Sequence, residues 1–73
     1  MATQWITLTD EQARLLSLLR KGKWASFTIE GLFSKSTVKS QLSKGRIKFD
    51  GATGYYHLTD KGQEAIINRK PRG

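Results

Sequence analysis

The segment from Ser34 to Lys44 holds the side chains of this chain that are best suited to contact a polyanion. If the segment is a helix, Val38 and Leu42 lie one turn apart on its inner face, because residues four apart share a face. The outward side chains are then Ser36, Lys39, Ser40 and Ser43, with Thr37 and Lys44 at the edge. Hydroxyls bond to phosphates or bases, and lysines neutralise phosphate charge. The alternative is a solvated surface helix.

The positive charge of the chain is concentrated in one segment. The formal net charge is +7, from 13 basic and 6 acidic residues. No acidic residue occurs between Gly31 and Phe49, where the basic residues are Lys35, Lys39, Lys44, Arg46 and Lys48. Four acids instead occur where helices are predicted to begin, at Asp10, Glu11, Glu30 and Asp60. This separation implies a polyanionic partner, most simply nucleic acid and less simply an anionic membrane surface.

Few residues of the chain could support catalysis or hold a metal ion. Cysteine is absent, and His57 is the only histidine, with no nucleophile at a suitable spacing. We therefore expect no enzymatic activity, no metal site and no cofactor. No apolar run approaches the roughly 18 residues that span a bilayer, and the N-terminus lacks a secretion pattern. We expect a cytoplasmic protein without a membrane partner, in an oligomeric state that the sequence leaves open.

The chain length predicts a single domain of residues 1–73. Thr9 and Gln12 form a predicted capping box, and the leucine-rich helix that follows is expected to end at Gly22. Its leucines spread over a broad arc, which indicates a helix buried against more than one neighbour. A lead-in of residues 1–7 precedes this helix.

Residues 24–27 are short and aromatic, and they predict a brief strand or turn rather than an open loop. Trp24 and Phe27 are assigned to the core, together with Trp5 from the lead-in. Thr28 is predicted to cap a short second helix. A third helix then follows, capped by Ser34 or Ser36 and ended by Gly45.

The last third of the chain predicts a β-hairpin and a helix. Residues 46–49 alternate polar and apolar side chains, residues 50–54 have turn chemistry, and residues 55–58 return as the paired strand. The predicted inward side chains are Ile47, Phe49, Tyr56 and Leu58. The final helix follows a Leu-Thr-Asp run like the first one and extends to about Arg69, and residues 70–73 form a frayed basic tail.

This order of elements resembles a winged helix-turn-helix domain over about Leu8 to Arg69. The most specific part is Gly45-Arg46-Ile47 followed by Tyr55-Tyr56-His57-Leu58-Thr59-Asp60-Lys61-Gly62, which looks like the wing region of MarR-like and related bacterial or phage regulators. The run Ser34-Lys35-Ser36-Thr37-Val38 is similar to the start of the family's recognition helix. The resemblance implies an α+β fold with a three-helix core, a two-stranded β-hairpin wing and a C-terminal helix. The chain departs from the family in its short second helix, which contains Gly31, and in lacking the long extra helices through which larger regulators dimerise.

The resemblance also implies a function: a small DNA-binding protein, either a transcriptional regulator or a phage-type accessory protein. The third helix, about residues 35–44, is expected to enter the major groove of double-stranded DNA, and the wing, residues 46–58, to lie along the backbone or in the minor groove. The DNA-binding residues carried over from the family pattern are Lys35, Ser36, Thr37, Lys39, Ser40, Ser43, Lys44, Arg46 and Lys48.

Thr53 at the wing tip is also expected to reach a phosphate. No arginine lies on the outer face of the helix, so sequence specificity is expected either to be modest or to come from the hydroxyls, Gln41 and DNA shape. The main alternative is a winged-helix protein-protein docking module that acts on a polymerase, a replication protein or a nuclease. RNA binding is a third hypothesis.

Overall fold

The computed structural model describes residues 5–70, which form four α-helices and a three-stranded antiparallel sheet. The elements are α1 (Asp10–Lys21), β1 (Trp24–Ala25), α2 (Ser26–Leu32), α3 (Lys35–Ser43), β2 (Ile47–Asp50), β3 (Tyr55–Leu58) and α4 (Asp60–Ile67). The predicted α+β class is confirmed. The predictions for residues 1–4 and 71–73 lie outside the described residues. Within residues 5–70, no helix has both the length and the apolar character needed to cross a bilayer.

Helix α1 supplies most of the core. Its predicted capping box is confirmed, since the backbone amide of Gln12 donates to the Thr9 hydroxyl and the amide of Thr9 donates to the Gln12 side chain, both over 3.1 Å. Leu15, Leu16 and Leu19 are buried, and α1 packs against α3, α4 and β3. The broad arc of leucines in the sequence therefore reflects three separate neighbours.

The sheet has the strand order β1-β3-β2, with both neighbouring pairs antiparallel. Tyr56 of the central strand pairs with Trp24 of β1 and with Phe49 of β2. Directly opposed residues share a face, so these three aromatic residues form one row across the sheet. The predicted hairpin is thus confirmed, and β1 extends it to three strands. Its turn ends at Gly54, whose φ of 73° favours glycine.

Helix α4 is positioned by a close approach to the turn that precedes β2. Thr59 caps the helix by accepting the amide of Gly62, and its own hydroxyl donates to the carbonyl of Gly45. A Cβ atom on Gly62 would lie 2.1 Å from the carbonyl oxygen of Arg46, so only glycine fits there without a shift of the backbone. The Leu-Thr-Asp-Lys-Gly run therefore joins the helix to the hairpin.

The structure corrects the predicted burial of Trp5 and Phe27, which are 56% and 78% exposed. Phe27 lies two positions before Ile29, the buried residue of α2, and two positions span about 200° of a helix, so the two side chains point in nearly opposite directions. Ile6 forms a bridge with Arg69 and packs on the core. Its neighbour Trp5 faces away, because successive residues of an extended segment alternate sides.

The sequence also predicts burial of Trp24 and Phe49, and both are exposed, at 38% and 45%. They share the inner sheet face with Tyr56, which is buried, but they belong to the two edge strands. The indole nitrogen of Trp24 donates to the carbonyl of Leu18, and the Phe49 ring packs at 5.4 Å from that of Tyr56. The face was therefore predicted correctly, and the position at the sheet edge explains the exposure.

Three helix boundaries differ from the predictions. Helix α2 begins at Ser26 with Ala25 as its N-cap residue, so Thr28 lies inside the helix rather than capping it. Helix α3 ends one residue before Lys44, which is its C-cap. Helix α4 ends at Ile67 rather than near Arg69, because Arg69 pairs with Ile6 and continues as extended chain.

Candidate nucleic-acid interface

Helix α3 is fixed at its N-terminus by a carboxylate from α1. Glu11 accepts the backbone amide of Ser34 at 3.0 Å, the Ser34 hydroxyl at 3.2 Å and the Thr37 hydroxyl at 2.7 Å. These bonds hold the pKa of the Glu11 carboxyl below its usual range, the Ser34 amide contributing most. Ser34 is also the N-cap residue of α3, as one of the two predicted alternatives had it. The first turn of α3 is therefore tied to α1 across 23 positions of sequence.

The inner face of α3 contains more residues than the two apolar ones that the sequence predicts there. Val38 is buried, and so are Thr37 and Gln41, both of which were predicted to contact DNA. Gln41 is fully buried, and its side-chain oxygen and backbone carbonyl both accept bonds from Arg46, at 3.2 and 3.0 Å. Two polar residues thus help to hold the helix instead of facing outward.

The outer face of α3 is basic and rich in hydroxyl groups. The exposed residues are Lys35, Ser36, Lys39, Ser43 and Lys44, and Ser40 is half-buried. No residue from 35 to 44 is acidic. Six of the nine predicted DNA-binding residues therefore lie on the solvent-facing side of α3 and its C-cap residue, and the positive end of this helix is already occupied by the Glu11 carboxylate.

A second basic group lies where α3, the turn before β2 and α4 meet. Lys44, Arg46 and Lys61 line a shallow cavity of about 210 Å³, together with Ile6 and Glu64. Lys61 was not predicted from the sequence, because α4 had been treated only as a closing helix. The Lys-Gly pair in the Leu-Thr-Asp-Lys-Gly run is the signal for Lys61, because Gly62 packs closely on Arg46 and so brings Lys61, the residue before it, to this turn.

Lys35 and Lys39 line a separate groove of about 210 Å³ between α2, α3 and the sheet. Val38, Leu42 and Tyr56 also line it, and Glu30 adds a carboxylate. Burial raises the pKa of the Tyr56 hydroxyl, and the nearby charge of Glu30 raises it further. This groove is therefore of mixed character, unlike the outer face of α3.

The wing has a mixed charge as well. Lys48 is exposed and pairs across the sheet with His57, on the face that does not carry Ile47 and Tyr56. The Asp50 carboxylate accepts the amide of Ala52 at 2.9 Å and lies 3.7 Å from the His57 imidazole. The Ala52 amide, followed by the Thr53 side chain, holds the pKa of Asp50 below its usual range. The structure thus places Lys48 beside a carboxylate and an imidazole, and it places that carboxylate near the predicted wing contact at Thr53.

Within residues 5–70, no group of three or more histidine, aspartate or glutamate side chains comes close enough to hold a metal ion. No protein-family model, curated protein or solved structure matches the chain. A proposal for function therefore rests on the geometry and charge of residues 5–70.

Proposed function

We propose that this chain is a small winged-helix protein that binds double-stranded DNA through α3, in a regulatory or phage-type accessory role. The observation that carries the proposal is the outer face of α3: cations and hydroxyls without a carboxylate, on a helix that buried groups hold in place. Such a face supplies phosphate neutralisation and hydrogen bonding along one exposed ridge.

The order and pairing of the elements support the winged-helix interpretation. A helix and a short strand lead to two consecutive helices, α2 and α3, and α3 leads directly into the hairpin β2–β3. Strand β1 joins the hairpin as its third strand, next to β3. In this arrangement α3 would enter the major groove, while the hairpin would lie beside the adjacent backbone.

The phosphate contacts in this proposal come from side chains rather than from the end of α3. Glu11 already satisfies the first amide of the helix, so an anion would compete with a carboxylate there. Lys44, Arg46 and Lys61 line one cavity at the opposite end of α3, where the three cations outnumber the single carboxylate of Glu64 and suit one stretch of DNA backbone. We name Lys44, Arg46 and Lys61 together the backbone group.

Base contacts in this proposal are limited to short polar side chains. Ser36, Ser40 and Ser43 have exposed or partly exposed hydroxyls, whereas Thr37 and Gln41 are buried and are left out of the proposed surface. The outer face has no arginine, which makes the commonest guanine contact. We therefore propose modest sequence preference, with a large share of the affinity from phosphates and DNA shape.

A salt series on duplex binding tests the proposal. The chain should bind two unrelated duplexes, with affinities that fall linearly on a logarithmic salt scale. Replacing Lys44 by Ala should reduce the slope by about 0.9, because one fewer phosphate is neutralised. Arg20→Ala removes the same charge from the last turn of α1, outside the proposed surface, and should leave the slope unchanged.

The result also separates the proposal from the docking-module alternative. A wild-type protein that binds neither duplex at physiological salt would contradict DNA binding and favour a protein partner for α3. Tighter binding to single-stranded RNA than to duplex DNA would favour the third hypothesis instead.

A further inference from the structure

We propose that copies of this chain associate head to tail, with the exposed face of α4 of one copy seated in a groove between α1 and α2 of the next. This contact does not involve the outer face of α3, although Glu64 of α4 also lines the cavity of the backbone group. The proposed association does not require DNA binding.

The groove is an apolar cavity with cations on its rim. It has a volume of about 320 Å³, and Leu18, Leu32 and Phe33 supply its apolar lining. Leu32 is 61% exposed although it belongs to a helix of a very small domain. Arg14 and Lys21 line the groove from α1, and none of its described lining residues is acidic. The groove therefore fits an apolar side chain that has a carboxylate beside it.

The exposed face of α4 provides such a pair of groups. Asp60, Glu64 and Ile67 are spaced by four and three positions, so they lie along one side of the helix. All three are exposed, and Ile67 is 62% exposed. The chain has a formal net charge of +7, so two copies repel each other unless a carboxylate of one copy meets a cation of the other. This stripe combines two carboxylates with an exposed apolar side chain, and we name it the α4 stripe.

The spacing of charged and apolar groups matches between the two surfaces. Glu64 precedes Ile67 by three residues, and Lys21 follows Leu18 by three residues, each an axial separation of about 4.5 Å. With the two helices antiparallel, Ile67 can contact Leu18 and Leu32 while Glu64 meets Lys21. The contact would then bury two exposed apolar side chains and pair opposite charges.

The two surfaces are different parts of the same chain, so the contact is heterologous. Each copy presents both a groove and an α4 stripe, and a row of copies can therefore grow at both ends unless it closes into a ring. This property distinguishes the proposal from an ordinary two-fold dimer, in which the same patch would meet itself.

Two charge-introducing variants test the contact directly. Leu32→Glu places a carboxylate in the groove, and Ile67→Glu places one on the α4 stripe. Both positions are well exposed, so both variants should fold, as thermal melts can verify. Sedimentation equilibrium over micromolar to millimolar concentration should show reversible association of the wild type, weakened about tenfold or more in each variant. Phe27→Glu, at an exposed apolar position outside both surfaces, should associate like the wild type.

An equimolar mixture of the two variants gives the decisive result. The Leu32→Glu protein keeps an intact α4 stripe and the Ile67→Glu protein keeps an intact groove. The mixture should therefore form a one-to-one dimer and nothing larger. A wild type that stays monomeric throughout, a mixture without the dimer, or a Phe27→Glu protein as impaired as the other two would each overturn the proposal.

Discussion

The N-terminus of α3 and the tip of the wing both depend on a carboxylate that accepts a backbone amide, and both carboxyls have a lowered pKa. Glu11 acts over a long distance in sequence, since it holds Ser34 and Thr37 from another helix. Asp50 acts locally, on the amide of Ala52 two residues away. The same chemistry therefore anchors one region to the core and merely shapes a turn in the other.

This difference explains why the two regions suit different roles. The α3 helix has its first turn tied to α1 and its last turn held through Gln41 and Arg46, and its exposed face carries lysines and serines without a carboxylate of its own. The wing has a cation, a carboxylate and an imidazole close together, and the imidazole of His57 also lines a cavity at the end of α1. A basic run in a sequence can thus divide into surfaces of different character once side-chain directions are known.

The largest predicted effect concerns the joint that connects the hairpin to the rest of the domain. Gly62→Ala would place a Cβ atom 2.1 Å from the Arg46 carbonyl oxygen and 2.5 Å from a Leu58 methyl carbon. We expect a loss of about 3 kcal/mol or more in the free energy of unfolding, because backbone must move to relieve the overlap. Urea unfolding at neutral pH measures the loss.

Gly31→Ala is the matched control for that substitution. Gly31 also lies within a helix, but a Cβ atom there would meet nothing within 4 Å. Alanine should stabilise α2 by roughly 0.5–1 kcal/mol through its helix propensity. If both alanine variants unfold at similar urea concentrations, the close approach of α4 to the hairpin is assigned wrongly.

The next prediction separates the two carboxylates by pH. Because the folded pKa of Glu11 lies below its ordinary value of 4.5, its contribution to stability is complete above about pH 4.5 and disappears as the pH falls through the folded pKa. Glu11→Gln should lower stability at neutral pH and weaken the dependence on acid pH. Amide hydrogen exchange should accelerate at Ser34, Thr37 and Val38, because the first turn of α3 loses its anchor.

Asp50→Asn provides the comparison from the wing. Its contribution follows the same sign, complete above about pH 3.8 and lost below it. Faster exchange should be confined to the turn, around Ala52 and Gly54, with α3 unaffected. Acceleration in α3 from Asp50→Asn would show that the two regions are coupled and would contradict the contrast drawn between them.

Features of the fold that depend on residues close together in the sequence can be predicted from the sequence. The confirmed predictions are those that depend on residues within a few positions of one another: the capping box of Thr9 and Gln12, the N-cap at Thr59, the turn before Tyr55 and the alternation of the hairpin. The role of Glu11, the burial of Gln41 and the position of Lys61 each depend on a partner from another element. A period of 3.6 residues gives a helix face but does not say how much of that face a neighbour covers, which is why the sequence predicts Thr37 at the edge of the outer face although the residue is buried.

A third prediction compares a lysine of α3 with the lysine of the wing in DNA binding. Lys39 lies on the outer face of α3, whereas Lys48 shares its sheet face with the Asp50 and His57 pair. Lys39→Ala should reduce the salt slope of duplex binding by about 0.9, and Lys48→Ala by less than half as much. Equal reductions of the salt slope in the two variants would show that the wing contributes as much to phosphate contact as α3 does.

The smallest effect on stability is expected where α3 meets β2, at Gln41. Its side-chain nitrogen is buried, and no hydrogen-bond partner for it occurs within residues 5–70, while its oxygen accepts from Arg46. Gln41→Leu removes the unpaired buried nitrogen and loses that one bond, so the free energy of unfolding should change by less than about 1 kcal/mol.

In the same variant, Arg46 loses the group that orients its guanidinium. Gln41→Leu should therefore weaken duplex binding although it does not lower stability. The double variant Gln41→Leu/Arg46→Ala should bind duplex DNA no more weakly than Arg46→Ala alone. A double-mutant cycle on the affinity measures this coupling. Fully additive losses would show that Gln41 does not act through Arg46.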